Sequence, residues 1–304
     1  MGRCCRLKKK ASSGIGKATA KILHELGASI ITGSRSEGNL DLSDLQSIRT
    51  FANSVKTTTQ TCDIFLACAA EICDTTPPTE TETAAPHRCS VDGFDKTFAT
   101  NHIGLQALLL ELFGDGGSDN NNNNNDDDDQ HLAWPARVVI VGSKLEQQGW
   151  IDPVIIQTTK GQQLNARPNH DWTAVKHYGD TKLGNQLLVT ELCHRTNLTT
   201  TKIFSVSPGM VDTGLWRNFP LWFRGLTWPV RRMALRSAEE AALGVVYVCA
   251  SQEADAAPTG ACFVDGRIVP VSDTSHNQAL ARHLWTVVHD LIQDNKKQKE
   301  PKQK

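Results

Sequence analysis

"LKKKASSGIGKATAKIL", residues 7–23, reads like the second half of a nucleotide-binding loop. Ser12, Ser13, Gly14, Ile15 and Gly16 stand just ahead of a helix-forming run, and three lysines occupy the place of an apolar strand and a first glycine. Apolar residues at helical spacing (Ala18, Ile22, Leu26) lead to Gly27, a residue suited to end a helix. Downstream, short apolar runs alternate with long helical patterns. "ASIIT" (28–32), "CDIFLACAA" (62–70), "ARVVIVGS" (136–143) and "TKIFSVSPG" (201–209) read as buried strands. Ser43-x-x-Gln46 resembles a capping box opening a helix with Leu45, Ile48, Phe51 and Ala52 on one face. Residues 93–113, 172–195, 237–251 and 276–292 read as further helices. Strands alternating with helices of this length predict a parallel sheet covered on both faces, a single doubly wound α/β domain.

Composition narrows the function. The 304 residues include 39% hydrophobic residues, enough for a sizeable core. With 32 basic and 33 acidic residues the net charge is −1, so nucleic acid is not an expected partner. No run of 18 apolar residues marks a membrane span, and the basic start has no apolar segment behind it. Nine cysteines in no regular framework, with no C-x-x-C pair, suit free thiols in a reducing, intracellular setting and give no metal site. The polar run "GDGGSDNNNNNNDDDDQ" within 114–131 reads as a disordered insertion, and 293–304 as a charged, frayed tail.

Chemistry concentrates in one constellation. Tyr178 and Lys182, four apart on a predicted helix, point from one face. A neighbouring ammonium favours phenolate, so this pairing is expected to lower the tyrosine's pKa toward neutrality. Ser143 ends a buried strand, where α/β folds place ligand-contacting groups. Asn101 sits inside an otherwise apolar helix, where a polar side chain needs a partner or a purpose. In "SVSPGMVDTG", Pro208 and Gly209 turn the chain after a strand, with Thr213 able to hydrogen-bond a ligand.

In "ASSGIGKATA", "LDLSDLQSIRTFA", "DGFDKTFATNHIG", "YGDTKLGNQLL" and "SPGMVDT", the chain resembles the short-chain dehydrogenases/reductases, in particular the retinol-dehydrogenase-like and WW-domain-oxidoreductase-like branch. The resemblance runs from Ala11 to about Leu291, within a domain placed at 11–292. It implies a Rossmann-type fold and an NAD(P)-dependent oxidoreductase. It makes Tyr178 the acid/base, Lys182 the holder of the nicotinamide ribose, Ser143 the partner of the substrate oxygen and Asn101 a support of the proton relay. Ser12, Ser13, Gly14, Ile15 and Gly16 would form the pyrophosphate loop, and Asp41 with Leu42 would lie at the adenine. Pro208, Gly209 and Thr213 would lie at the nicotinamide end. Arg35 would receive the 2′-phosphate, giving NADP(H) preference over NAD(H).

The chain departs from that pattern in three places. In the loop T-G-x-x-x-G-x-G, the first two positions are Lys9 and Lys10. The motif N-N-A-G is Cys68, Ala69, Ala70 and Glu71, and the helix and strand that usually separate Arg35 from Asp41 are nearly absent. A side chain where the backbone must approach a pyrophosphate implies weakened binding. "RCCRLKKK" cannot serve as a buried central strand, so residues 1–10 are expected not to be the native beginning of this fold, and its first strand to be missing or degenerate. The expected activity interconverts a carbonyl and an alcohol on a lipophilic substrate of retinoid, steroid or lipid-aldehyde type. The alternative is a weak or inactive family member that acts as a binding protein. A serine hydrolase is disfavoured because no G-x-S-x-G elbow is present. The aromatic and arginine-rich segment 215–236 lies where the family places its substrate lid, and could also rest on the surface of an intracellular membrane. The sequence does not indicate an oligomeric state.

Overall fold

The computed structural model describes residues 14–73, 89–116, 131–152, 171–195, 200–211 and 235–299. Helix α1 (Gly14–Glu25) leads to α2 (Leu45–Thr58) and strand β1 (Ile64–Ala67). Helix α3 (residues 96–113) is a composite of an α-turn Lys96–Phe98, a π-helical turn Ala99–Ile103 and an α-helix Gly104–Phe113. Then follow β2 (Arg137–Val141), α4 (Ala174–Arg195), β3 (Lys202–Val206), α5 (Ala238–Ala250), β4 (Cys262–Val264), β5 (Arg267–Val269) and α6 (Gln278–Lys299). Among the described residues the strands form one sheet in the order β1-β2-β3-β4-β5, parallel except for the final β4–β5 pair. This is the single-domain Rossmann-type α/β architecture that the sequence predicts.

The core shows why the continuous apolar runs become strands. Along β2, Val138 and Ile140 pack into one cluster, while Val139 and Val141 pack into the other. Successive side chains of a strand point to opposite faces, so a strand covered on both faces needs apolar residues at every position. One face is covered by α2, α3, α4 and α6, the other by α1 and α5. On the second face Phe204 and Phe263 meet edge to face at 5.4 Å. Arg137 at the start of β2 is buried because its guanidinium donates to Val248 O and Ser251 O at the C-terminal end of α5 and pairs with Asp255. The exposed carbonyls of a helix end favour such a cation.

Four expectations are corrected. Residues 28–32 form no strand among the described residues, and Ile31 is exposed. A strand exists only through its ladder, and among the described residues no neighbouring strand pairs with this segment. The cap of α2 is Asp44 rather than Ser43: Asp44 accepts from Gln46 N and Ser47 N, while Ser43 Oγ donates to Asp41. Leu45 N at that end donates to Asp92, whose buried carboxylate also accepts from Asn295 and Lys299. Those two bonds carry α6 through Lys299, well into the segment read as a frayed tail. Finally, the helix over 93–113 is not regular, because it contains the π-helical turn around Asn101.

Two close approaches set the layout around the strand ends. A Cβ on Gly104 would lie 2.0 Å from Leu42 O, so only glycine lets α3 pack against the chain entering α2. The polar insertion leaves and returns at one point: Leu132 N donates to Leu112 O, and His131 packs on Gly114. Residues 117–130, the expected loop and start at 1–13 and most of the lid segment lie outside the described residues. Among the described residues, no helix is long and apolar enough to cross a membrane, and no three His, Cys, Asp or Glu side chains group as a metal site would require.

Candidate active site

The site lies at the carboxyl ends of β1, β2 and β3, where α/β sheets collect ligand-binding groups. Tyr178 and Lys182 stand one turn apart on α4, both buried, with Lys182 Nζ 5.5 Å from the phenol ring centroid. Lys182 Nζ donates to Val141 O, the last carbonyl of β2, at 2.9 Å. Two residues beyond Val141, Ser143 begins the turn Lys144–Gln148, and its Oγ accepts from Leu145 N. That turn packs tightly on α4: a Cβ on Gly179 would fall 2.7 Å from Leu145 O, so glycine beside Tyr178 is what permits the contact. Ser143 and Lys182 line one cavity of about 210 Å³, together with Glu146, Gln186, Ser207 and Cys262.

Asn101 supports the loop after β1. Its Oδ1 accepts from Glu71 N at 2.8 Å, while Nδ2 donates to Glu71 O at 2.9 Å and to Thr181 Oγ1 at 3.1 Å. Thr181 Oγ1 donates in turn to Tyr178 O, which completes a buried link from the β1 loop to the tyrosine's turn of α4. A π-turn widens the helix and exposes backbone and side-chain groups that an α-turn would close, and such turns concentrate at functional sites. Asn101 sits in the middle of this one.

The electrostatics differ from the expectation for Tyr178. Its pKa is pushed up, by burial first and by the Cys68 thiol second, rather than lowered by Lys182. Lys182 is itself desolvated, so burial lowers its pKa to about 8, opposed by Cys68. Removing a phenolate from water outweighs the attraction of an ammonium committed to a strand carbonyl. The tyrosine therefore holds its proton throughout the neutral range. Beside it, His177 lies 3.2 Å from Asp95. Burial would raise the Asp95 carboxyl, but the charge and hydrogen bond of His177 and two backbone donors bring it below its ordinary value.

The remaining expected residues fall into two groups. Gly14, Ile15 and Gly16 open α1, and Gly16 lies against Cys68, with 3.5 Å between a Cβ built there and the sulfur. Pro208 and Gly209 form the turn after β3, with Gly209 at φ +79°. The start of α1 is a place where backbone N–H groups can receive the phosphate oxygens of a dinucleotide. The adenosine end suits it less well. Arg35 Nη2 is paired with Glu71 Oε2 at 2.6 Å, so the guanidinium expected to meet a 2′-phosphate already has an anion. Asp41 Oδ1 accepts from Ser43 N and Ser43 Oγ, which turns that carboxylate oxygen toward the entry of α2 rather than outward to an adenine. Leu42 is half-buried, its carbonyl against Gly104. Ser12, Ser13 and Thr213 lie outside the described residues.

Sequence reasoning passed over Thr181, Asp180 and Glu146. Asp180 is fully buried and accepts from Trp150 N, while Glu146 is buried and accepts from Ser272 and Ser275. The signal that singled out Asn101, a polar residue within an apolar stretch, is absent at Asp180 and Thr181, which stand in the polar run "HYGDTK" (177–182).

No family model matches the chain. Among curated proteins it is 28% identical to the human dehydrogenase/reductase SDR family member 13, over 90% of this chain and 69% of that protein. It is 24% identical to the Drosophila melanogaster WW domain-containing oxidoreductase, over 93% of this chain and 66% of that protein, so the chain spans about two thirds of the length of these two. It is 26% identical to mouse retinol dehydrogenase 14, over 93% of this chain and 84% of that protein. Among solved structures, the 3-alpha-hydroxysteroid dehydrogenase of Pseudomonas sp. B-0831 with NADH superposes with a TM-score of 0.56 at 18% identity, covering 84% of this chain and 93% of that one. The 3-ketoacyl-(acyl-carrier-protein) reductase of Brucella melitensis with NADH gives 0.52 at 17% identity, covering 84% and 93%. At such identities these structures speak to the fold alone. The chain is thus similar in sequence to curated short-chain dehydrogenases/reductases, the family that its motifs resemble.

Proposed function

We propose that this relative of the short-chain dehydrogenases/reductases interconverts a carbonyl and an alcohol on a lipophilic substrate, using NADP(H) in preference to NAD(H). The observation that carries the reading is the buried Lys182 ammonium beside the Tyr178 ring, with Lys182 and Ser143 sharing one cavity at the end of β2. The apolar substrate class is taken from the retinol dehydrogenases among its relatives. When bound, the nicotinamide supplies or accepts the hydride.

The chain's own residues do the rest. Ser143 Oγ, at the mouth of β2, hydrogen-bonds the substrate oxygen and holds it near Tyr178. Tyr178, whose proton is retained by burial, gives it to that oxygen as negative charge develops there, and takes it back in the alcohol-oxidising direction. Lys182 turns from Val141 O to the ribose hydroxyls and places positive charge beside the phenol. Asn101, through Glu71 and Thr181, keeps the β1 loop and the Tyr178 turn in register. Ser12, Ser13, Gly14, Ile15 and Gly16 carry the pyrophosphate, and Pro208, Gly209 and Thr213 the nicotinamide end. Asp41 and Leu42 would border the adenine with groups other than the Asp41 Oδ1 held by Ser43, and Arg35 would meet the 2′-phosphate only by opening or sharing its pair with Glu71. Ser34 precedes Arg35 where an acidic residue would instead favour an unphosphorylated ribose.

A second reading, a binding protein with little turnover, is favoured by the Arg35–Glu71 pair and by Lys9 and Lys10 in the loop. The two separate in one experiment: titration with NADPH and NADH by nicotinamide fluorescence, then NADPH oxidation with retinoid, steroid and lipid aldehydes, for the wild type and Tyr178→Phe. The oxidoreductase reading expects turnover that Tyr178→Phe abolishes while cofactor affinity stays within a few-fold, because the hydroxyl acts mainly in the transition state. Near-normal turnover in the variant refutes the role of Tyr178. Binding with no turnover on any aldehyde supports the second reading.

A further inference from the structure

Arg35 opens the short turn Arg35–Glu37, and its side chain remains 45% exposed. The Glu71 side chain paired with it is only 12% exposed. Glu71 stands where the resembled family's N-N-A-G carries its glycine, so the carboxylate is an addition at the cofactor end of the sheet. Its backbone is fixed: Glu71 N and O are both bonded to the side chain of Asn101, which is 1% exposed and also bonded to Thr181. Ion pairs between mobile surface side chains contribute little, because both partners must be ordered. Here the backbone of one partner is held by a buried amide and its carboxylate is largely out of solvent, so the ion pair is less screened than one between two exposed side chains.

A guanidinium recognises carboxylate and phosphate through the same planar fork. Resting on the oxidoreductase reading above, we infer that Glu71 is a cofactor-specificity determinant that competes with the adenosine 2′-phosphate for Arg35. A phosphorylated ribose can reach Arg35 only by opening or sharing the pair, and it then lies close to a second anion, a repulsion that disfavours binding. A ribose with a free 2′-hydroxyl meets neither cost. The wild-type preference for NADP(H) is therefore weaker than Arg35 alone would give, and removing the Glu71 charge releases it.

The test uses the full chain and two adenosine probes, 2′,5′-ADP and 5′-AMP, titrated calorimetrically into wild type, Glu71→Gln, Arg35→Ala and the double variant. Glu71→Gly, the family's own residue, serves as a second way of removing the carboxylate, and urea unfolding checks that each variant is folded. The expected result is that Glu71→Gln tightens 2′,5′-ADP about tenfold while 5′-AMP stays within about twofold, and that the gain disappears when Arg35 is also replaced. No gain in either Glu71 variant, an equal gain for both probes, or a gain that persists without Arg35 overturns the inference while leaving the oxidoreductase reading in place. If neither probe binds any variant, the cofactor reading fails and this inference with it.

Discussion

Lys182→Met should make the protein more stable near neutral pH. Lys182 is 2% exposed, and burial lowers its pKa from 10.5 to about 8. Below pH 8 the amine is charged in both folded and unfolded chains, so the cost of burying it is fully present. Between about 8 and 10.5 the folded state has released the proton and the unfolded state has not. Stability then rises with pH, and above 10.5 the cost is gone. At about 1.4 kcal/mol per pH unit, the distance from 10.5 to about 8 corresponds to about 3 kcal/mol. Methionine fills nearly the same volume without the charge, but it leaves Val141 O without its 2.9 Å donor, a loss of about 1–3 kcal/mol. The net expectation is a gain of about 1 kcal/mol at pH 7. The assay is urea unfolding of wild type and variant under reducing conditions, at pH 7 and at pH 10. The variant-minus-wild-type difference is the quantity to read, because Cys73 and Cys249, raised by burial to about 12, lower the stability of both proteins as unfolded thiols ionise. The variant's advantage should vanish or reverse by pH 10, and cofactor binding should weaken as stability is gained. A variant less stable than wild type at pH 7, or a difference that does not change with pH, would refute the reasoning.

Asn101→Ala should cost about 2–4 kcal/mol in urea unfolding, since it removes one buried and two part-buried hydrogen bonds and leaves Glu71 N–H and C=O without that partner. Faster amide exchange across residues 69–72 should accompany the loss, and unchanged exchange there would separate Asn101 from the loop. His102, buried against Asn185, has its pKa lowered by burial from 6.5 to about 4. Above pH 6.5 the ring is neutral in both states, while between 6.5 and about 4 the unfolded chain takes up a proton that the folded one refuses. Stability should therefore fall by about 3 kcal/mol as the pH drops through that window. His102→Gln should lack this component, and parallel acid losses in the two proteins would contradict it. Replacing Lys9 by Thr and Lys10 by Gly should tighten NADPH about tenfold in a fluorescence titration, by letting the backbone approach the pyrophosphate. Unchanged affinity would remove the loop from the account of this chain's cofactor binding.

Much of the fold was legible because its signals are local. The unbroken apolar run Val138–Val141 within "ARVVIVGS" specifies a strand buried on both faces, and four-residue spacing places Tyr178 and Lys182 on one face of a helix whatever surrounds them. Asn101 could be singled out because a polar group inside an apolar helix must be satisfied somewhere, but its partners, Glu71 and Thr181, are 30 and 80 residues away. Distance along the chain hides what decides the electrostatics. Arg35 looked like a free phosphate ligand until the loop after β1 brought Glu71 to 2.6 Å. Tyr178 looked acidified by Lys182 until burial raised it and tied the ammonium to Val141 O. Residues 28–32 carried the composition of a strand, yet a strand also needs a neighbour's backbone, and that lies outside its own sequence. Periodicity and residue type are properties of short segments, so the sequence determined most of the helices, the strands β1 to β3 and their faces, but not the short strands β4 and β5. Charge pairing, desolvation and ladder formation depend on groups that only the folded chain brings together, and these the tertiary structure decided.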